Sequence, residues 1–326
     1  MRFARALSLY PAGLIALSVW TALLPPHDGV LALAQILLPH LCLAALVLVP
    51  VLVATRERAL AAALGGLVVA CAIRLGPEWI SPPDVQPDGH ALHVVTWNVG
   101  RRGDAPADAV IDALLANRPD VVALQELKPD LAAALARDPR VLTAWPFRVL
   151  APDPNVVGMG LLSAFAIEEP ETFADPAGVE ARLLLGDGRT LSVVTAHPFP
   201  GRIGTLPGGV PVTYDGVPRD AALQRLRARI DAHLADGDPL LVLGDFNVAP
   251  TEPGYGLLAA GLNDAHRIAG IGPGWTWRPI HLAPLGLGLL RIDYVLGGPT
   301  VHPIAARVRC QRVGDHCLVA ATVEVP

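Results

Sequence analysis

The sequence predicts an α/β domain preceded by three transmembrane helices. Three observations carry that expectation. The mean hydropathy of the 326 residues is +0.44, too apolar for an ordinary soluble enzyme. The excess is concentrated in three apolar stretches at the start of the chain. After them, short aliphatic runs alternate with helical patterns, and several of those runs end on a polar residue.

Residues 6–26 contain no charged side chain, and neither do residues 29–55. A spanning helix needs ~20 apolar residues, and both stretches meet that length. A third runs from Ala59 to Ile73 and reaches it only if Arg74 snorkels to the interface. A cleaved signal peptide is the alternative for residues 1–24, but two more apolar runs follow at once. Arg2 and Arg5 precede the first stretch, and Arg56 and Arg58 separate the second from the third. "PPHDG" (25–29), between the first two, has no Lys or Arg. The positive-inside rule therefore puts everything after residue 77 outside the cytoplasm. The expected organisation is an anchor at 1–77, a Pro-rich linker at 78–90 and a catalytic domain at 91–326.

In that domain "ALHVVTWNVG" (91–100) reads as a strand, 104–120 as a helix stopping before Pro119, and "VVALQEL" (121–127) as a buried strand. A short helix follows at 128–138, then strands near 145–150, 157–163, 165–173, 180–186 and 190–196. Residues 198–218, rich in Gly and Pro, read as a long functional or mobile loop. An amphipathic helix at 219–237 leads to the strand "PLLVLGDFN" (239–247), and final strands occupy roughly 291–309 and 317–325.

From residue 90 onward, 20 basic residues face 25 acidic ones, and Lys128 is the single lysine of the chain. That balance gives no support to a nucleic-acid partner, which usually meets a basic patch. Cys42 and Cys71 lie in apolar stretches, where small hydrophobes are the simplest reading. Cys310 and Cys317 flank a short loop, and the pattern leaves open a disulfide or two free thiols. No CxxC pair exists, which argues against a cysteine zinc site.

The chemistry is expected where polar residues close apolar runs: Asn98, Glu126, His197, Asp245 and Asn247, with Asp293 inside "RIDYVL" and Asp315 and His316 before the last strand. Singly, each has a structural explanation as a turn residue, a helix-entry acid or a satisfied histidine. Together they supply oxygen ligands suited to a hard cation such as Mg²⁺, with Mn²⁺ as an alternative. Imidazoles beside carboxylates suit proton transfer. The combination fits phosphoester hydrolysis.

"TWNVG", "LQEL", "TAHP", "GDFN", "RIDYVL" and "GDHCLV" stand in the order of the endonuclease/exonuclease/phosphatase superfamily, which the chain resembles over about residues 91–325. The resemblance implies a four-layer αββα sandwich of the DNase I-like kind with a metal site at one edge. It implies Asn98, Glu126 and Asp315 as metal residues, Glu126 as the direct ligand. Asp245 would orient or deprotonate water, Asn247 bind a phosphoryl oxygen, Asp293 hold His316 protonated, and His316 and His197 stabilise the developing charge. Many relatives carry a Ser-Arg pair where this chain has Ser163 and Ala164. Arg182 or Arg219 would compensate, with Arg219 as a substrate-binding residue or simply a solvated residue at a helix start.

The N-terminal triplet is similar to that of a membrane-anchored bacterial group that includes a teicoplanin-resistance protein. This likeness implies a bacterial cell-membrane enzyme whose substrate is a lipid phosphate or pyrophosphate, with undecaprenyl pyrophosphate as the specific candidate. The expected partners are that lipid and the membrane, with no protein partner evident. A membrane-tethered nuclease and a non-catalytic binding module are the alternatives.

Overall fold

The computed structural model describes residues 2–54, 58–80, 90–100, 106–186, 188–279, 288–311 and 313–326. The N-terminal part is helical: α1 (Arg2–Leu23), α2 (Gly29–Ile36), α3 (Leu38–Ala54) and α4 (Arg58–Trp79). Three straight spanning helices are not what forms. The second apolar stretch breaks at Leu37, and α2 and α3 meet at 63°. Pro39 is the physical reason: it has no N–H for the carbonyl of Gln35, and its ring would clash with that carbonyl. Among the described residues no single helix is long and apolar enough to cross a membrane. The bent pair meets the requirement jointly, and Tyr10–Leu23 and Ala61–Ile73 are shorter apolar helices. Cys42 and Cys71 are joined in a disulfide rather than serving as separate small hydrophobes. Most of the expected linker, residues 81–89, lies outside the described residues.

The domain then runs β1 (His90–Asn98), α5 (Ala107–Asn117), β2 (Val121–Gln125), α6 (Pro129–Leu135), α7 (Pro139–Ala144), β3 (Phe147–Ala151) and β4 (Met159–Ser163). β5 (Ala166–Ala174), β6 (Ala177–Gly186) and β7 (Arg189–His197) follow, then β8 (Arg202–Thr205), β9 (Pro211–Asp215) and α8 (Val217–Asp236). The chain ends with β10 (Leu240–Asp245), α9 (Pro253–Ala259), β11 (Asn263–Asp264), α10 (Ala265–Ala269), β12 (Asp293–Gly297), β13 (His302–Arg309) and β14 (Leu318–Val325). α5 stops where Arg118 turns left-handed ahead of Pro119, and α8 is bracketed by Pro218 and a left-handed Gly237. Residues 198–218 are not an irregular loop, because β8 and β9 pair there as a two-stranded ribbon.

Two six-stranded sheets form, in the orders β13-β14-β1-β2-β4-β3 and β11-β12-β10-β7-β6-β5. Period-2 alternation sends each strand's side chains to two faces. Leu92 and Val94 of β1 meet Leu241 and Leu243 of β10 between the sheets. Val95 and Trp97 pack outward with α5, α6 and α7. Leu240 and Val242 pack outward with α8 and α9. The result is helix, sheet, sheet and helix in four layers.

Candidate active site

Each sheet is built around one parallel pair, β1 with β2 and β7 with β10. Parallel strands end at the same edge, so Asn98, Glu126, His197 and Asp245 emerge together. β12 and β14 run antiparallel to β10 and β1 and begin at that edge, which brings in Asp293 and His316. The register sets Asp245 directly opposite Asp293. Gly244 makes the approach of the strands possible. A Cβ there would lie 2.1 Å from the carbonyl oxygen of Ala196 on β7.

Asp245 is the hub. Its Oδ2 accepts from Asn98 Nδ2 at 3.0 Å and lies 3.6 Å from Nε2 of both His197 and His316. Its Oδ1 accepts the Asn247 backbone N–H at 3.0 Å. Asn98 Nδ2 also donates to Glu126 Oε1 at 3.1 Å. His197 Nδ1 donates to the carbonyl of Val156 at 3.0 Å, which leaves Nε2 facing Asp245. His316 Nδ1 donates to Asp293 Oδ2 at 3.0 Å. Asn247 Nδ2 donates to the Pro198 carbonyl at 2.9 Å, and its second N–H remains for a ligand.

Burial alone would push the His316 imidazole down, but the carboxylates of Asp293 and Asp245 and the Asp293 hydrogen bond outweigh it and raise its pKa to about 10. Burial raises the Asp293 carboxyl, against the pull of His316. Glu126 and Asn247 both hold positive φ, 54° and 52°, where side-chain-bearing residues are uncommon. Such strain clusters where function fixes a side chain's direction.

Residues 95–316 match the pattern described as the Endonuclease/Exonuclease/phosphatase family. The chain belongs to this family. Solved structures share its fold. A 3' phosphatase, NExo from Neisseria, bound to a product DNA hairpin, is 21% identical with a TM-score of 0.56, covering 71% of this chain and 98% of that one. TDP2 from D. rerio, complexed with a single-strand DNA product, is 19% identical with a TM-score of 0.57, covering 72% and 99%. The human Nocturnin catalytic domain with a bound sulfate is 18% identical with a TM-score of 0.56, covering 74% and 96%. A comparison with curated protein sequences finds no match.

Family members are divalent-metal phosphoesterases and nucleases, and the residues present fit a cation. Glu126 Oε2 is buried with no hydrogen-bond partner. Ligand atoms of Asp245, Asp293 and His316 lie within 4.8 Å of one another. Of the two, Glu126 is the stronger cation signal. An imidazolium between two carboxylates offers no lone pair, whereas the Glu126 oxygen has one free. Gly100 leaves the room, since a Cβ there would sit 1.9 Å from Glu126 Oε2.

Two expected residues stand elsewhere. Arg219 is neither a solvated helix-start residue nor free for a substrate phosphate, as its guanidinium is buried. It donates to Asp220 Oδ1 at 2.6 Å, Glu252 Oε2 and the Tyr214 hydroxyl at 2.7 Å, and the Asn247 carbonyl at 2.9 Å. Arg182 pairs with Ser192, far down the hairpin from the Ala177–His197 pair at the site. Ala164 lies at that far end too, since Ser163 pairs with Val121 at the start of β2 and the Ala164 N–H donates to the Asp120 carbonyl, so the site loses no phosphate contact there that Arg182 would have to replace. Asp315 is half-buried beside His316, contributes to raising its pKa, and its carbonyl accepts from Arg278 N at 2.9 Å.

Sequence reasoning missed Gly100 and the segment around Thr276. The Thr276 hydroxyl accepts the backbone N–H groups of Ile292 and Asp293, its carbonyl accepts from Cys317 N at 2.8 Å, and Trp277 bridges His316. The short run "TW" carries no signal of this. Cys317 pairs with Cys310, closing the loop that holds His316.

Proposed function

We propose that this protein is a membrane-anchored, Mg²⁺-dependent phosphohydrolase acting outside the cytoplasm on a lipid phosphate or pyrophosphate, with undecaprenyl pyrophosphate as the specific candidate. One observation carries the lipid reading. The β8–β9 ribbon starts at the site, beside His197 and Pro198, and exposes Phe199, Ile203, Leu206 and Val210. Residues 203–214 contain no charged side chain. Asp28, between α1 and α2, and Gly29, which opens α2, bridge to β9, and Leu23, Leu24 and Val30 are exposed on either side of them. An apolar surface thus continues from the helices to the mouth of the site. A patch of that kind marks an interaction surface, and a bilayer suits it.

The chemistry follows from the site. Asp245 orients the attacking water and accepts its proton, while Asn98 fixes the other face of that carboxylate. The His316 imidazolium, held charged by Asp293, stabilises negative charge developing on the phosphoryl oxygens. His197 supplies a second polar contact, and Asn247 offers its free N–H to a phosphoryl oxygen. Glu126, with Asn98 hydrogen-bonded to it, would hold Mg²⁺, with Asp315 next to His316 as a further metal residue; the ion would supply Lewis-acid stabilisation of the phosphoryl and leaving-group oxygens when bound.

The Cys310–Cys317 disulfide suits an oxidising compartment and supports the outward orientation. A tethered nuclease is the second reading, favoured by the DNA-bound neighbours, but the acidic balance with one lysine works against it. A non-catalytic module would have no use for three buried carboxylates around two imidazoles.

Phosphate release from lipid phosphates, lipid pyrophosphates and duplex DNA, each with Mg²⁺ and with chelator, tests the reading. We expect the lipid pyrophosphate to be the best substrate and the chelator to stop turnover. Faster cleavage of DNA sinks the lipid assignment and leaves the metal chemistry standing. A C-terminal alkaline phosphatase fusion should be active, and an inactive fusion would place the site in the cytoplasm.

A further inference from the structure

We infer that the N-terminal helices position the site loop, through His27 and Gln35, rather than only tethering the domain. The loop that carries Asp245 and Asn247 continues through residues 248–251, and the N-terminal part grips it at two places.

The first grip is a relay. His27 Nδ1 lies 2.7 Å from Asp220 Oδ2, and its carbonyl accepts the Gly216 N–H at 2.8 Å. Asp220 Oδ1 accepts from Arg219 Nε at 3.0 Å and Nη2 at 2.6 Å. Arg219 Nη1 then donates to the Asn247 carbonyl at 2.9 Å. His27 is half exposed, but the Asp220 and Arg219 steps are close-packed. A Cβ on Gly254 would lie 2.4 Å from Asp220 Oδ1, and one on Gly216 would lie 3.0 Å from Arg219 Nη2. The second grip is direct, as Gln35 Nε2 donates to the Thr251 carbonyl. Nearby, His40 of α3 stacks on Trp275 with ring centroids 4.8 Å apart, next to Thr276, which holds Asp293.

Asn247 needs such support. Its φ of 52° lies in the left-handed region, which Asn tolerates better than most residues, and hydrogen bonds to its carbonyl and N–H hold it there. The N–H is held by Asp245 and the carbonyl by Arg219. Arg219 is oriented by Asp220, and His27 fixes the remaining oxygen of Asp220. A substrate-positioning group displaced by a fraction of an ångström loses turnover rather than affinity. The inference rests on Asn247 belonging to the reaction site and not on the lipid substrate.

The test uses the full-length protein in nanodiscs and the variants His27→Ala, His27→Asn and Gln35→Ala. Amide hydrogen exchange over residues 245–251 needs no substrate. We expect it to quicken in His27→Ala and Gln35→Ala while β1 and β10 stay protected. Turnover of bis(p-nitrophenyl) phosphate should fall about tenfold in kcat with KM unchanged. His27→Asn, whose amide replaces Nδ1–H, should restore both. Unchanged exchange in both alanine variants overturns the inference. So does exchange that quickens with kcat intact, or a His27→Asn variant as impaired as His27→Ala, which would reduce the contact to packing. If the wild type turns over none of the phosphate probes, the proposed function fails while the exchange data still decide the grip.

Discussion

Two sets of buried charge flank Asn247, and they are built on opposite principles. On one side Arg219 meets Asp220 and Glu252, and nearby Arg291 meets Asp264. Every oxygen there has a partner. Glu252 Oε1 accepts from Ala249 N at 2.7 Å, and Asp264 Oδ2 accepts from the Tyr255 hydroxyl at 2.7 Å. On the other side Asp245 and Asp293 share the imidazolium of His316, while Glu126, tied to Asp245 through Asn98, has one oxygen with no partner. A cluster in which every oxygen is paired is scaffold, since removing an arginine strands a carboxylate. One that leaves a buried oxygen without a partner is a site that still requires a cation and a substrate.

The largest expected effect separates the two directly. Asp245→Asn or His316→Ala should cost roughly 10²–10⁴-fold in turnover. Thermal stability without metal should hold or rise for Asp245→Asn, because one of three crowded carboxylates is discharged. Arg219→Met should do the reverse to the fold, losing about 3–5 kcal/mol in denaturant unfolding as Asp220 and Glu252 lose the guanidinium they share. Comparable destabilisation by Asp245→Asn would show that the site cluster is scaffold too.

This contrast was half legible in the sequence. Asn98, Glu126, His197, Asp245 and Asn247 announce themselves as polar residues closing aliphatic runs, and the runs give the strands. The four-layer arrangement followed from family likeness, and the paired sheets realise it. Arg219 was misjudged because local sequence shows only a cation at a helix start. Its partners Tyr214, Glu252 and the Asn247 carbonyl come together only in the folded chain. The break at Leu37 was hidden by hydropathy, which ignores the missing N–H of Pro39. The β8–β9 ribbon was hidden by its Gly and Pro residues, since a two-stranded ribbon needs little periodicity. The Cys42–Cys71 pair depends on α3 packing against α4, a contact that apolar composition leaves unspecified.

Gly100 sharpens the comparison at finer scale. Gly100→Ala adds one methyl group, which would fall 1.9 Å from Glu126 Oε2 and push that carboxylate aside. The concentration of Mg²⁺ giving half-maximal activity should rise about 10–100-fold, as for other residues that orient metal ligands. The scaffold cluster is untouched, so unfolding in chelator should match the wild type. An unchanged Mg²⁺ requirement would remove Glu126 as the cation's ligand.

The smallest effect is in pH, where the two clusters should fail at opposite ends. His316 has a folded pKa raised to about 10 from an ordinary 6.5. The stability it contributes is full below about 6.5, declines above it, and is lost once pH passes about 10. Asp264 behaves conversely. Burial pushes its carboxyl up, but Arg291 and the Tyr255 hydroxyl outweigh that and hold it below the ordinary carboxylate value. Its contribution is present above about pH 4 and is lost as pH falls through the depressed folded value. Melting temperature against pH, measured in chelator, should therefore sag on the alkaline side through His316 and on the acid side through Asp264. His316→Gln should flatten only the alkaline limb. If that variant flattens the acid limb instead, the proton on His316 is not held by Asp293 and Asp245, and the charge-stabilising role given to it fails.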